Sequence, residues 1–141
     1  MGKYVLIACC SEKLTQKAFA SGLYISDLFK KSMAYAKSIN PEKIFILSAK
    51  YGLLELQDEI NPYDETLNTK PADEVKLWAS NVLKKLSQKT DLENDEFIFL
   101  AGNKYRKYLI PKIKNYKIPL EGLGIGKQKK WLKDIINGKL L

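Results

Sequence analysis

The sequence predicts an α/β fold, a three-layer α/β/α arrangement around a mostly parallel sheet of about four strands. Three observations predict it. Short apolar runs at residues 3–8, 44–47 and 96–101 are rich in β-branched and aromatic residues. Longer segments with helical periodicity lie between them, and such alternation implies parallel strands joined by crossover helices. A chain of 141 residues, 45% of them hydrophobic, suits one domain spanning residues 1–141 with a real core.

Each element has its own reason. Residues 3–8, Lys-Tyr-Val-Leu-Ile-Ala, read as a central strand because every position but the first is apolar. The run is short and lacks a small-residue cleavage site, so it reads as a strand and not a signal peptide. No run approaches the roughly 18 apolar residues that span a bilayer. A polar turn, Cys9 to Leu14, follows. Residues 21–39 read as a helix, with Ile25, Leu28, Phe29, Ser32, Ala36 and Ile39 on one face. Asn40-Pro41 stops it, since the residue before proline disfavours the α region.

Residues 43–47 form the second buried strand. The segment after it, through Leu67, looks neither helical nor extended, and a long irregular segment in a compact domain is usually functional. It carries Ser48, Lys50, Tyr51, Glu55, Asp58, Tyr63 and Asp64. Residues 71–86 form a second long helix, with Thr69 as N-cap and Pro71 in the opening turn. Val75, Trp78, Ala79, Val82, Leu83 and Leu86 make its apolar stripe. Residues 87–95 form a polar surface loop. The third strand, 96–101, ends at Gly102, where a backbone can approach a ligand closely. Residues 103–113 read as a helix broken near Pro111, residues 116–120 as a fourth strand, and residues 122–126 as a glycine-rich turn. The last helix, 127–136, turns Trp131, Leu132, Ile135 and Ile136 inward and ends at Gly138. No internal repeat or linker interrupts the chain.

Composition narrows the chemistry. The chain contains no histidine, which removes Ser-His-Asp and Cys-His catalysis and histidine-bound zinc. Acid–base work falls to Asp, Glu, Tyr, Lys or Cys. The two cysteines, Cys9 and Cys10, are adjacent; their disulfide ring would be strained, which fits a reducing, cytoplasmic compartment. No protein-held catalytic metal and no cofactor are expected. A net charge of +8 fits either a solvated lysine surface or attraction to polyanions.

All four predicted strands end in polar or glycine-rich residues, and parallel topology puts those ends on one edge of the sheet, where α/β folds bind ligands. Cys9, Ser11, Ser48, Tyr51 and Gly102 are therefore expected around one cavity. Several residues there have a plain reading beside a functional one. One of Cys9 and Cys10 packs in the core while the other lines the pocket, or one is a nucleophile activated by Lys13 or a helix N-terminus. Residues 122–126 make a turn or cradle a phosphate, although they match neither a Walker spacing nor the dinucleotide fingerprint. Tyr24, Tyr51, Tyr63 and Tyr105 close the core's edge or stack on a base. Asp64 caps a turn, or acts as a general base or a stabiliser of positive charge on a sugar ring.

The order of these motifs resembles a known family. Cys9 to Leu14, Leu23 to Phe29, Leu47 to Leu54 with Pro62-Tyr63-Asp64, Ala101-Gly102 with Tyr105, and Gly124-Ile125-Gly126 with Gln128 and Trp131-Leu132 resemble the DUF6884 family over nearly the whole chain. That family brings no established activity. Residues 48–54 and 60–63 also resemble the peroxide-stress YaaA family, whose members are longer and are associated with DNA binding and oxidative-stress protection. They are similar, more loosely, to the core domain of archaeosine synthase, which acts on a modified base in tRNA. The expectation is an enzyme acting on a nucleobase or N-glycosidic bond in nucleic acid or a nucleotide. The alternative is a non-catalytic DNA- or RNA-binding stress protein. On the enzyme reading Asp64, Ser48 and Cys9 are catalytic, Lys13 and Lys50 hold phosphate, and Tyr24 or Tyr51 stacks on the base. Ser11 and Ser48 orient polar edges, and Cys10, Ser26, Gly52, Tyr63, Gly102, Tyr105, Gly126 and Gln128 complete the pocket. The partner is a nucleotide or nucleic acid and not a membrane; the oligomeric state is left open.

Overall fold

Val5, Leu6 and Ile7 leave almost nothing exposed to solvent. A strand buried on both faces must be apolar at every position, and β1 (Lys3–Ala8) occupies the centre of the sheet. The computed structural model describes residues 2–140, the side chains of Lys139 and Leu140 excepted. The sheet has five strands in the order β4-β3-β1-β6-β7. β3 (Lys43–Ser48) and β6 (Glu96–Leu100) flank β1 in parallel, pairing Val5 with Ile44 and with Ile98. β7 (Asn115–Lys117) adds a short parallel edge beside β6.

The chain steps one way along the sheet from β1 to β3 and the other way from β3 to β6. Right-handed crossovers therefore put their helices on opposite faces. α2 (Asp27–Ser38) packs with α5 (Ile125–Leu140), where Tyr35 meets Trp131 edge to face at 5.3 Å. α3 (Ala72–Lys89) belongs to the other crossover and packs on β4. The layers are α/β/α, and no helix among the described residues is long and apolar enough to cross a membrane.

Several expected elements take a different form. The expected helix 21–39 divides into α1 (Ala20–Leu23) and α2. Between them Tyr24 bridges antiparallel to Lys13, and the Ser26 hydroxyl accepts the Phe29 N–H at 3.1 Å, starting a new helix. The segment after β3 contains β4 (Gly52–Glu55), antiparallel to β3 at the sheet's edge. Farther along, β5 (Glu59–Ile60) pairs antiparallel with β2 (Ala18–Phe19), and a 3₁₀ turn covers Leu67–Thr69. These pieces make a cap over the β3 end of the sheet. Thr69 lies in that turn and does not cap α3, whose N-cap position is Pro71. The segment after β6 contains only one helical turn, α4 (Asn103–Arg106), then a 3₁₀ turn at Ile110–Lys112. α5 starts two residues before its expected start and runs through Gly138, which therefore does not end it.

Candidate functional site

The chain leaves β1 toward β3 and leaves β6 toward β7. Two neighbouring strands whose exits diverge open a crevice beyond their carboxyl ends. A cavity of about 670 Å³ lies there, within the roughly 300–1,000 Å³ of small-ligand sites. Cys9 and Cys10 come to it from β1, and Ala101, Gly102, Tyr105 and Arg106 from β6 and α4. Ser26 and Ser32 of α2, and Ile125 and Gln128 of α5, form the opposite wall. A smaller cavity of about 220 Å³ has Cys9, Cys10, Asn68 and Tyr105 in common with it. Ser11, Lys13, Asp64, Glu65 and Thr66 complete the smaller one.

The wall between them is ordered by the sheet. The Cys9 N–H donates to the Leu47 carbonyl at 2.9 Å, extending the ladder one residue past β1. The Cys9 thiol donates to the Tyr105 hydroxyl at 3.5 Å, and the Leu67 N–H reaches the same oxygen at 3.3 Å. Cys10 donates to the Glu12 carbonyl at 3.2 Å. Burial foremost, with Cys9 beside it, pushes the Tyr105 phenol up to about 12, so it is a neutral hydroxyl at physiological pH. Lys13 lies with Nζ 4.4 Å from the centre of the Tyr63 ring, a cation–π contact. Asp64 is exposed at the mouth of the smaller cavity.

Ser48 lies elsewhere. It is fully buried and lines neither cavity. Its hydroxyl donates to Tyr63 at 2.8 Å and accepts the Tyr51 N–H at 3.0 Å. The Tyr63 and Tyr24 hydroxyls bond at 2.6 Å. The Tyr24 ring is wedged between Phe29 and Tyr63, with centroids 5.1 and 6.3 Å away. Burial raises both phenols well above their ordinary range. A hydroxyl whose proton and lone pair are both engaged, out of reach of solvent, pins the cap and has no access to a substrate. Tyr24 and Tyr63 are likewise too enclosed to stack on a base.

Lys50, Tyr51 and Gly52 line a separate depression of about 440 Å³ against α3, with Trp78, Lys84 and Lys85. The expected single cavity around Cys9, Ser11, Ser48, Tyr51 and Gly102 is thus resolved into parts. Cys9, Ser11 and Gly102 share the switch-point region, while Ser48 and Tyr51 do not. Gly52 has a local reason to be glycine, since its φ is 75° in the turn from β3 to β4. Ser26 and Gln128 line the large cavity, and Gln128 also holds its turn by donating to the Leu123 carbonyl at 2.8 Å. Gly126 sits exposed in the first turn of α5 and is absent from either lining.

Sequence reasoning missed Ser32, Asn68, Glu65 and Arg106. Arg106 had a signal: it is the one arginine in a chain whose other basic residues are all lysines. Its guanidinium donates to the Ala101 carbonyl at 2.7 Å, and its side chain is 13% exposed. Ser32 had a weaker one, a hydroxyl inside an otherwise apolar helical stripe.

Residues 4–134 match a family model described as a family of unknown function (DUF6884). No curated protein matches the chain.

Proposed function

The chain belongs to the DUF6884 family, and from its site we propose that it is an enzyme acting on a nucleobase or N-glycosidic bond, with a nucleotide or nucleic acid as substrate. The observation that carries this reading is the pair of adjoining cavities at the switch point. The larger presents cations, hydroxyls and helix-start amides. The smaller presents Asp64 and Glu65 beside Lys13. A ligand with an anionic end and a polar reacting end fits such a pair. The likeness of residues 48–54 and 60–63 to the YaaA family and to a base-modifying core domain supports the same direction.

The chain's own groups define the chemistry. Histidine is absent, and burial keeps the nearby phenols protonated, so a carboxylate is the available base. Asp64 would lie beside the sugar carbon that becomes electron-poor. The bond from that carbon to the base nitrogen breaks, its electron pair leaving with the base, which takes up a proton from solvent. Water then bonds to the carbon and passes a proton to Asp64, which later returns it to solvent. Cys9 and Tyr105 form the wall against which the base would rest.

The test is a panel of nucleosides and nucleotides screened by thermal shift, with base release followed by chromatography. Asp64→Asn is expected to abolish release and leave the melting temperature unchanged. Equal turnover by both forms would remove Asp64 from the mechanism. A second reading, nucleic-acid binding without turnover, is favoured by the depression that gathers Lys50, Lys84 and Lys85 beside Tyr51 and Trp78. That reading demands steep loss of affinity with rising salt.

A further inference from the structure

We infer that the switch-point cavity contains a subsite for a phosphate monoester, built from the N-terminus of α5, the Ser32 hydroxyl and the Arg106 guanidinium. It deepens the nucleotide reading above and rests on it only for the identity of the rest of the ligand.

α5 is a 16-residue helix with no acidic residue in its first turn. The Gln128 N–H donates to the Gly124 carbonyl at 2.9 Å, which makes Gly124 the N-cap. The N–H groups of Ile125, Gly126 and Lys127 then have no acceptor within the helix. A glycine cap brings no side-chain oxygen to satisfy them, whereas α2 has Ser26 for that purpose. A helix start of this kind favours anions by its dipole and its free donors.

Ser32 points to a ligand independently. It is only 3% exposed and lines the cavity from α2. Its hydroxyl makes no hydrogen bond to another described residue. Since no side-chain polar atom among the described residues is both sealed from solvent and unpartnered, the oxygen opens onto the cavity and is free for a ligand. Arg106 adds the charge. Its nearest carboxylate, Glu121, lies 3.6 Å away on a side chain that is 63% exposed. So loose a partner leaves the guanidinium available to a stronger anion, and arginine is the basic side chain best suited to phosphate oxygens. Of the three helix-start residues Ile125 lines the cavity, and a helix-start amide, a hydroxyl and a guanidinium match the three terminal oxygens of a monoester better than the two of a carboxylate or diester. Gly102 leaves room for it: a Cβ there would meet nothing within 4 Å.

The test is calorimetric titration of the whole chain with inorganic phosphate, common ribonucleosides and their monophosphates. Monophosphates should bind at least about tenfold more tightly than the parent nucleosides, as expected for charge-assisted hydrogen bonds, and inorganic phosphate should compete with them. Gly124→Asp supplies a carboxylate that caps α5 itself, at a glycine whose φ is outside the left-handed region and whose added Cβ has open space. It should hold or raise the melting temperature while weakening monophosphate binding by about tenfold and sparing nucleoside binding. Ser32→Ala should weaken monophosphate binding without lowering the melting temperature. Equal affinity for nucleoside and monophosphate, or a Gly124→Asp variant that binds monophosphates normally, would overturn the subsite and leave the nucleobase reading standing. Binding of inorganic phosphate and of all phosphate esters alike, lost in Gly124→Asp, would uphold the subsite and count against a nucleobase as the ligand's other end.

Discussion

Replacing Ser48 by alanine separates the two roles a hydroxyl at a strand end can have. The Ser48 oxygen makes two hydrogen bonds, to Tyr63 at 2.8 Å and from the Tyr51 N–H at 3.0 Å. Each is worth about 1 kcal/mol net. Tyr63 keeps Tyr24 as a partner, and the half-buried Tyr51 amide can meet water, so neither is orphaned. The expected loss for Ser48→Ala is therefore about 2 kcal/mol. In a chain of this length that is a fall of roughly 6–8 °C in melting temperature. Urea titration should show a lower midpoint at unchanged slope. Tyr63→Phe and the double variant complete a cycle, whose coupling should be about 1 kcal/mol because the two residues share one bond. A melting temperature equal to wild type, with turnover lost, would refute this reasoning and restore Ser48 as a nucleophile. Additive single effects would show that the bond contributes nothing.

Three further outcomes follow from the geometry. Glu55 bonds Lys43 of β3 and Lys89 of α3, and these hold its carboxyl down at about 2; its contribution is present above the unfolded value of about 4.3 and is lost as pH falls from there through the folded value. Thermal melts of wild type and Glu55→Gln should therefore converge across that window, and a gap unchanged at its acid end would contradict the assignment. Gly52→Ala, at φ 75° with Val82 3.7 Å from the added Cβ, should cost about 1–2 kcal/mol in urea titration, whereas Gly102→Ala should cost nothing measurable there. Asp95, buried and accepting the N–H groups of Gly2 and Asp91 at 2.7 and 2.8 Å, is a structural carboxylate. Asp95→Ala should destabilise by about 2–3 kcal/mol, and a smaller loss by the same measurement would mean water replaces it.

Three of the four parallel strands, β1, β3 and β6, were legible because a strand buried on both faces has to be apolar throughout, and such runs are conspicuous. β7, by contrast, is an exposed edge of three residues that begins one residue before the expected strand and ends three residues short of it. β4 was not legible, because Leu53 and Leu54 are consecutive buried residues between Gly52 and Glu55 and show no alternation. The two-residue strands β2 and β5 are too short to carry any period. The position of the site was legible for the same reason as the strands: the ends of β1 and β6 fix Cys9, Cys10 and Gly102. What strand order does not fix is the direction of a side chain. Ser48 turns into the cap, and the turn at residues 49–51 takes Lys50 and Tyr51 toward the sheet's edge. Ser32 and Arg106 were harder to read, because only the fold brings α2 and α4 to the same cavity.

The central place of β1 also sets a condition on synthesis. Val5 waits for Ile44 on one side and for Ile98 on the other, so β1 stays open on one edge until β6 has been made. While the chain emerges, Tyr4, Val5, Leu6 and Ile7 form an apolar ribbon with open edges, the kind of segment that pairs with other chains when it is exposed. The β3–β4 hairpin closes locally and gives no relief, because β1 still lacks β6. The interval between translation of residues 3–8 and residues 96–100 is thus the period in which β1 presents an unpaired edge, and it is imposed by the same strand order that opens the cavity between β1 and β6.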